Sequence, residues 1–164
     1  MKKVIRPIFV LAMLLALVGS VSAGKTAKPI EFTIDGDTTY WGRVVNQDEC
    51  TLKFKDLTAA GTVTDDLNVS FDLNGSFTYV EKGEIDFCTA AGSNKGVMMI
   101  VTDKGTLVIK FKGQTDLQLV WGVWKLKSAT GDYAGIKGAG TYSGDAAPSS
   151  FVVTFYGSFY PDPH

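Results

Sequence analysis

The sequence predicts an all-β protein: one antiparallel β-barrel of about eight strands, with a two-sheet sandwich as the alternative. Three observations carry this. Several segments alternate apolar and polar residues with period two, as strands with one face on a core do. Gly, Thr, Val, Phe and Tyr are abundant, and beyond the N-terminus no long stretch keeps apolar residues at helical spacing. Short turn-like segments such as Asn74-Gly75 and Asp103-Lys104-Gly105 separate the alternating runs. A closed barrel is preferred because it leaves no edge strand open to aggregation.

The N-terminus has a different character. Lys2, Lys3 and Arg6 precede the apolar run 8–18, and small residues ending Val21-Ser22-Ala23 follow it. That order is the order of a secretory signal, and a run of about eleven residues is too short for a spanning helix, which needs roughly twenty. The expectation is a signal peptide over 1–23, cleaved near Ala23, no stable membrane anchor, and a mature β domain over 24–164 in a secreted or periplasmic location. The whole chain has 16 basic and 17 acidic residues, so losing the three basic residues at the N-terminus leaves a mature net charge of about −4. No run of Lys and Arg stands out along the chain, which argues against a nucleic-acid partner.

In chain order, strands are expected at 29–34, around Leu52 and Phe54, at 67–73, from Phe77 to Tyr79, and at 84–88, 97–102 and 106–112. Further strands follow around Trp121 and Trp124, at 137–142 and from Phe151 to Phe159. Asn74-Gly75 marks a hairpin. A two-residue loop there would set Phe71 on the face of Thr78, so a three-residue loop or a bulge at Gly75 is expected, with Phe71 and Tyr79 on one face. Leu117, Leu119 and Trp121 share one parity, and Trp124 and Leu126 the other. A bulge at Gly122-Val123 would keep both sets inward.

Cys50 and Cys88 are the only cysteines. An even count in an exported chain predicts that they pair. Closing that loop of about 39 residues removes unfolded-state entropy worth roughly 4 kcal/mol in the chain-entropy account. The sole histidine is His164 beside Pro163, so nucleophilic triads and His/Cys zinc sites lack their imidazole. Asp35 with Asp37, and Asp65 with Asp66, sit beside Gly or Thr and read as turn chemistry rather than a calcium loop. No metal or cofactor site is expected. Gly131, Gly135, Gly138 and Gly140 have the wrong spacing for a phosphate loop, and they read as backbone requirements of a turn.

The stretch 124–142, with Gly131, Tyr133, Gly135 and Gly138 inside it, resembles the late strand, turn and strand of the allene oxide cyclase and dirigent-like barrels, of which exported bacterial proteins are also members. Gly105 to Gly113 adds weaker support. The resemblance implies an eight-stranded barrel with an apolar lumen, often assembled into homo-oligomers. It implies no catalytic residue, because Gly131, Tyr133, Gly135 and Gly138 match as structural turn positions.

Within such a lumen, inward residues with a polar tip are the candidates for ligand binding: Tyr79, Glu81, Trp121 and Tyr142. The leading expectation is a barrel that binds a small, largely apolar molecule or serves as an interaction module. The second is a cofactor-free isomerase or cyclase in which Glu81 or a tyrosine steers protons. The third is a small outer-membrane barrel, disfavoured by strands that read as six or seven residues where about nine to eleven are needed.

Overall fold

A computed structural model describes residues 26–67, 71–147 and 149–161. The segment 1–23, expected from the sequence to be a signal peptide, lies outside them. The elements are β1 (Lys28–Tyr40), β2 (Arg43–Gln47), β3 (Thr51–Asp65), β4 (Gly75–Asp86), β5 (Ala91–Thr102), β6 (Gly105–Thr115), β7 (Leu119–Ala129), a short 3-10 turn (Gly131–Tyr133), β8 (Ile136–Ala146) and β9 (Ser150–Pro161). Every pairing is antiparallel. From β3 to β9 each strand pairs with the next, β9 pairs with β1, and β1 pairs with β3, closing an eight-stranded barrel. The sandwich alternative is thereby excluded.

β2 is the ninth strand. Gly42, with φ of 77°, breaks the chain away from β1, and β2 then pairs with the first turn-proximal part of β3 beyond the reach of β1. A bulge at Lys55 and Asp56 marks the changeover, and Arg43 grips Asp56 at 2.6 Å. β2 therefore extends one end of the barrel as a lip. The disulfide Cys50–Cys88 joins the β2–β3 turn to the β4–β5 turn at that same end, with Cα atoms 5.2 Å apart.

Alternating inward residues fill the barrel. Phe32, Phe77, Met98, Ile100, Leu107, Ile109, Trp124 and Phe159 are fully or almost fully buried, and Phe151, Val153 and Phe155 continue the face expected for the last strand. Inward glycines make room for the largest rings. Trp124 lies over Gly140 and Gly157, where an added Cβ would fall 2.8 and 2.6 Å from its ring, and its Nε1 donates to the Tyr156 carbonyl at 3.0 Å. Bare glycine weakens a strand unless a neighbouring ring covers it, so the pairing of Gly with an aromatic serves both.

Two register expectations are corrected. The segment 67–73 is no strand where it is described (residues 68–70 lie outside the described set). β4 pairs instead with β3, placing Gly61 opposite Phe77 and Ala59 opposite Tyr79, so the hairpin after Leu73 and its three-residue loop do not exist. Asp65 and Asn74 close a loop: Asp65 accepts from the Leu67 and Leu73 amides, and Asn74 Oδ1 accepts from the Asp65 amide. Phe71 and Leu73 plug the barrel end, with Leu73 buried and Phe71 edge-on to Phe159, whereas Leu67 is exposed. Phe71 and Leu73, two residues apart, both pack on the barrel end, and that spacing is also a strand's. The expected strand at 84–88 is likewise the end of β4, which runs unbroken through Glu81.

The second correction concerns β7. Its pairing with β6 is regular from Val120 to Lys125, and the shift falls between Leu126 and Ser128, not at Gly122-Val123. Val120, Gly122, Trp124 and Leu126 point inward. Leu117 sits in the preceding turn with φ of 74°, while Leu119 and Trp121 face out. The strands of the closed barrel span eleven to fifteen residues, longer than the alternation indicated because inward glycines interrupt the apolar pattern. Among the described residues no helix is long and apolar enough to cross a membrane.

Candidate functional site

The two barrel ends differ. At one end the turn after β7 folds Tyr133 inward, where it is 1 % exposed, and its hydroxyl meets Thr102 Oγ1 at 2.8 Å and the Asp72 carbonyl. Gly131 and Gly135 hold φ of 63° and 75° in this turn, which L side chains rarely adopt. Phe71, Tyr133 and Phe159 together stopper the barrel. Gly138 differs from the other two glycines: it lies under the Phe159 ring.

At the lip end the lumen is open. A cavity of about 640 Å³ runs from the exposed aromatic rim of Trp41 and Phe87 down to Met98 and Phe155. Its walls are mostly apolar, and Glu81 is the one charged side chain among the described residues that line it.

One rung of the barrel builds the polar part of the wall. Tyr142 on β8 pairs with Gly122 on β7, Gly122 with Gly113 on β6, and Gly113 with Asn94 on β5. With no side chain on the two intervening strands, the Tyr142 ring lies flat across them and its hydroxyl donates to Asn94 Oδ1 at 3.2 Å. Phe155 stacks on the other side of that ring, at 5.2 Å between centroids. The remaining Asn94 amide faces Glu81, one rung away on β4, and its hydrogen bond favours the carboxylate.

Burial outweighs that bond. Glu81 lines the cavity wall, and loss of hydration pushes its carboxyl up to about 7. Burial also raises the Tyr79 and Tyr142 hydroxyls, with the nearby Glu81 charge as a second cause, so both phenols stay protonated at neutral pH. The site thus offers one carboxyl that changes charge near neutrality, two neutral phenols and one amide inside an apolar chamber.

Of the four residues expected from the sequence, Tyr79, Glu81 and Tyr142 meet in this cavity. Trp121 does not: it stands on the outer face, 40 % exposed. Asn94, Trp41, Phe87 and Thr115 line the chamber without having been anticipated. Asn94 was within reach, since it continues the parity of Met98 and Ile100 through Gly96 once β5 is extended beyond Val97. Among the described residues no three His, Cys, Asp or Glu side chains gather as metal ligands would.

No protein-family model and no curated protein matches the chain. Among solved structures it is similar to that of a pterocarpan synthase dirigent protein, with 10 % identity over 88 % of this chain and 99 % of that one and a TM-score of 0.45. The resemblance is to a dirigent-like barrel, and no residue role is taken from it.

Proposed function

We propose that the lumen binds a small, largely apolar molecule carrying one hydroxyl or carbonyl group that meets Glu81 and Asn94. The observation that carries this reading is the open, apolar chamber with a single polar cluster on one wall. Its volume falls within the roughly 300–1,000 Å³ of small-molecule pockets, and such pockets orient a ligand by a few placed polar groups. The outer-membrane alternative is disfavoured by the outer face. Lys82, Lys95, Lys110, Lys112 and Lys125 project there from the middle of strands, where each would cost about 2–4 kcal/mol at a bilayer midplane.

A neutral apolar fluorophore, N-phenyl-1-naphthylamine, tests the reading. The mature protein is expected to bind it and enhance its emission. Thr115→Trp, which places a ring into the chamber from β6, is expected to abolish binding while the far-UV spectrum is retained. Equal binding by both proteins would place the probe elsewhere and overturn the assignment.

A second reading has one specific observation behind it. A carboxyl near 7 is poised to take and return a proton at neutral pH, and a water-poor chamber suits a cofactor-free isomerisation or cyclisation. Here Glu81 is the acid–base residue, and Tyr142 and Asn94 orient the substrate oxygen. Turnover that follows ionisation of a group near pH 7 and is lost in Glu81→Gln, with probe binding kept, would distinguish catalysis from binding alone.

A further inference from the structure

Lysines scattered through the sequence converge on the outer face of the barrel. Strand pairing sets Lys82 opposite Lys95 and Lys95 opposite Lys112, so three exposed lysines stand on three consecutive strands about 4.8 Å apart. Lys53 and Lys55 on β3 line the same groove, and Lys110 faces Lys125 one rung away. Like charges directly opposite one another destabilise a sheet. Among the described residues no carboxylate forms an ion pair with Lys82, Lys95 or Lys112; Glu84, on the next rung of the same groove, pairs with Lys53 at 3.2 Å. A chain with a net charge of −1 thus concentrates uncompensated positive charge along one line.

The line lies in a groove of about 690 Å³ that crosses the strands from Val45 on β2 to Trp121 and Val123 on β7. The neighbouring rung is polar and ends on an aromatic: Glu84, held by Lys53, faces Ser93, Ser93 faces Gln114, and Gln114 faces Trp121. The exposed Trp121 indole, displaced from the lumen by the phase of β7, gains a role here.

We infer that this groove binds a linear anionic polysaccharide bearing one negative charge per sugar ring. Three features select that chemistry. One lysine per strand gives a row of charges whose repeat is comparable with the length of a sugar residue. Gln114 and Ser93 supply hydrogen bonds suited to ring hydroxyls, and Trp121 supplies an apolar plate for a ring face. A single-stranded nucleic acid would need several stacking aromatics along the row, and among the described residues lining the groove Trp121 is the one exposed aromatic, Phe54 being buried. A bilayer surface is flat and does not follow a groove.

The mature protein is titrated with polygalacturonate, with neutral dextran, oligo(dT) and phosphatidylglycerol vesicles as comparison ligands. Polygalacturonate is expected to bind, with affinity falling at least tenfold between about 0.05 M and about 0.2 M salt as counterions compete. The triple variant Lys82→Gln/Lys95→Gln/Lys112→Gln is expected to fold, since it relieves repulsion, and to lose at least tenfold in affinity. Trp121→Ala is expected to weaken binding at both salt concentrations, and Thr115→Trp to leave it unchanged. Absence of binding at low salt, unchanged affinity in the folded triple variant, or tighter binding of oligo(dT) or the vesicles would overturn the proposal.

Discussion

The Tyr142 hydroxyl reaches Asn94 Oδ1 at 3.2 Å from three strands away, because both intervening strands carry glycine at the crossing. A Cβ on Gly122 would meet the Lys112 carbonyl first, and would lie 2.6 Å from the Gly113 Cα and 2.7 Å from Tyr142 Cε1. Neither the ring, held by Phe155, nor the paired backbone yields easily. Gly122→Ala is therefore expected to cost about 1–3 kcal/mol through overpacking, whereas Tyr142→Phe, which removes one hydrogen bond, costs about 1 kcal/mol. Urea unfolding of the two variants checks the order; Gly122→Ala matching the wild type would mean that both the ring and the paired backbone give way.

Stability should depend on pH through Glu81. Its carboxyl ionises near 4.5 when exposed and near 7 in the fold, so the folded state holds the proton more tightly. Below about 4.5 the group is neutral in both states and costs nothing. Between about 4.5 and 7 stability falls as pH rises, and above 7 the loss is complete. The loss is on the order of 2 kcal/mol, less than full burial would give because water enters the chamber. Glu81→Gln should flatten this window and be the more stable protein at pH 8. A wild-type midpoint that does not change from pH 5 to pH 8 relative to the variant would show that Glu81 is hydrated.

Denatured but unreduced protein should contain no reactive thiol, because Cys50 and Cys88 are joined. Replacing both by Ala should lower stability by about 2–4 kcal/mol. The bridge ties the β2–β3 lip to the rim that carries Phe87, so the double variant should also release N-phenyl-1-naphthylamine faster. Stopped-flow dissociation reads this, and unchanged release would confine the bridge to stability.

Gly135→Val in the turn and Gly138→Val just inside β8, where the sequence had placed both in one turn, separate two demands. At Gly135 nothing lies within 4 Å of an added Cβ but φ is 75°, so the cost is backbone strain of about 1–3 kcal/mol. Gly138 has no such φ, and its substituent meets the Phe159 ring, so its cost comes from overpacking the stopper. Restoring space with Phe159→Leu should recover part of the loss in Gly138→Val and none in Gly135→Val. Both variants should bind the probe, because the turn lies at the end remote from the chamber.

Period-two alternation was enough to establish an all-β chain and the inward faces of β6 and β9, because residues such as Leu107, Ile109, Phe151 and Phe155 have no other way to reach a core. The pairing of Cys50 with Cys88 followed from their number together with the expectation of export. The candidates Tyr79, Glu81 and Tyr142 were legible because parity carries from a buried neighbour. Alternation is blind to what lies across the sheet. Whether Trp121 or Gly122 faces inward depends on Tyr142, which needs a bare position to cross, and whether Leu73 belongs to a strand or a plug depends on which strand pairs with β4. The meeting of Lys82, Lys95 and Lys112, and the opening of the lumen at one end only, likewise arise between strands distant in sequence. Register and closure place those residues side by side, and these are decided by packing between strands and not by the order of residues within one.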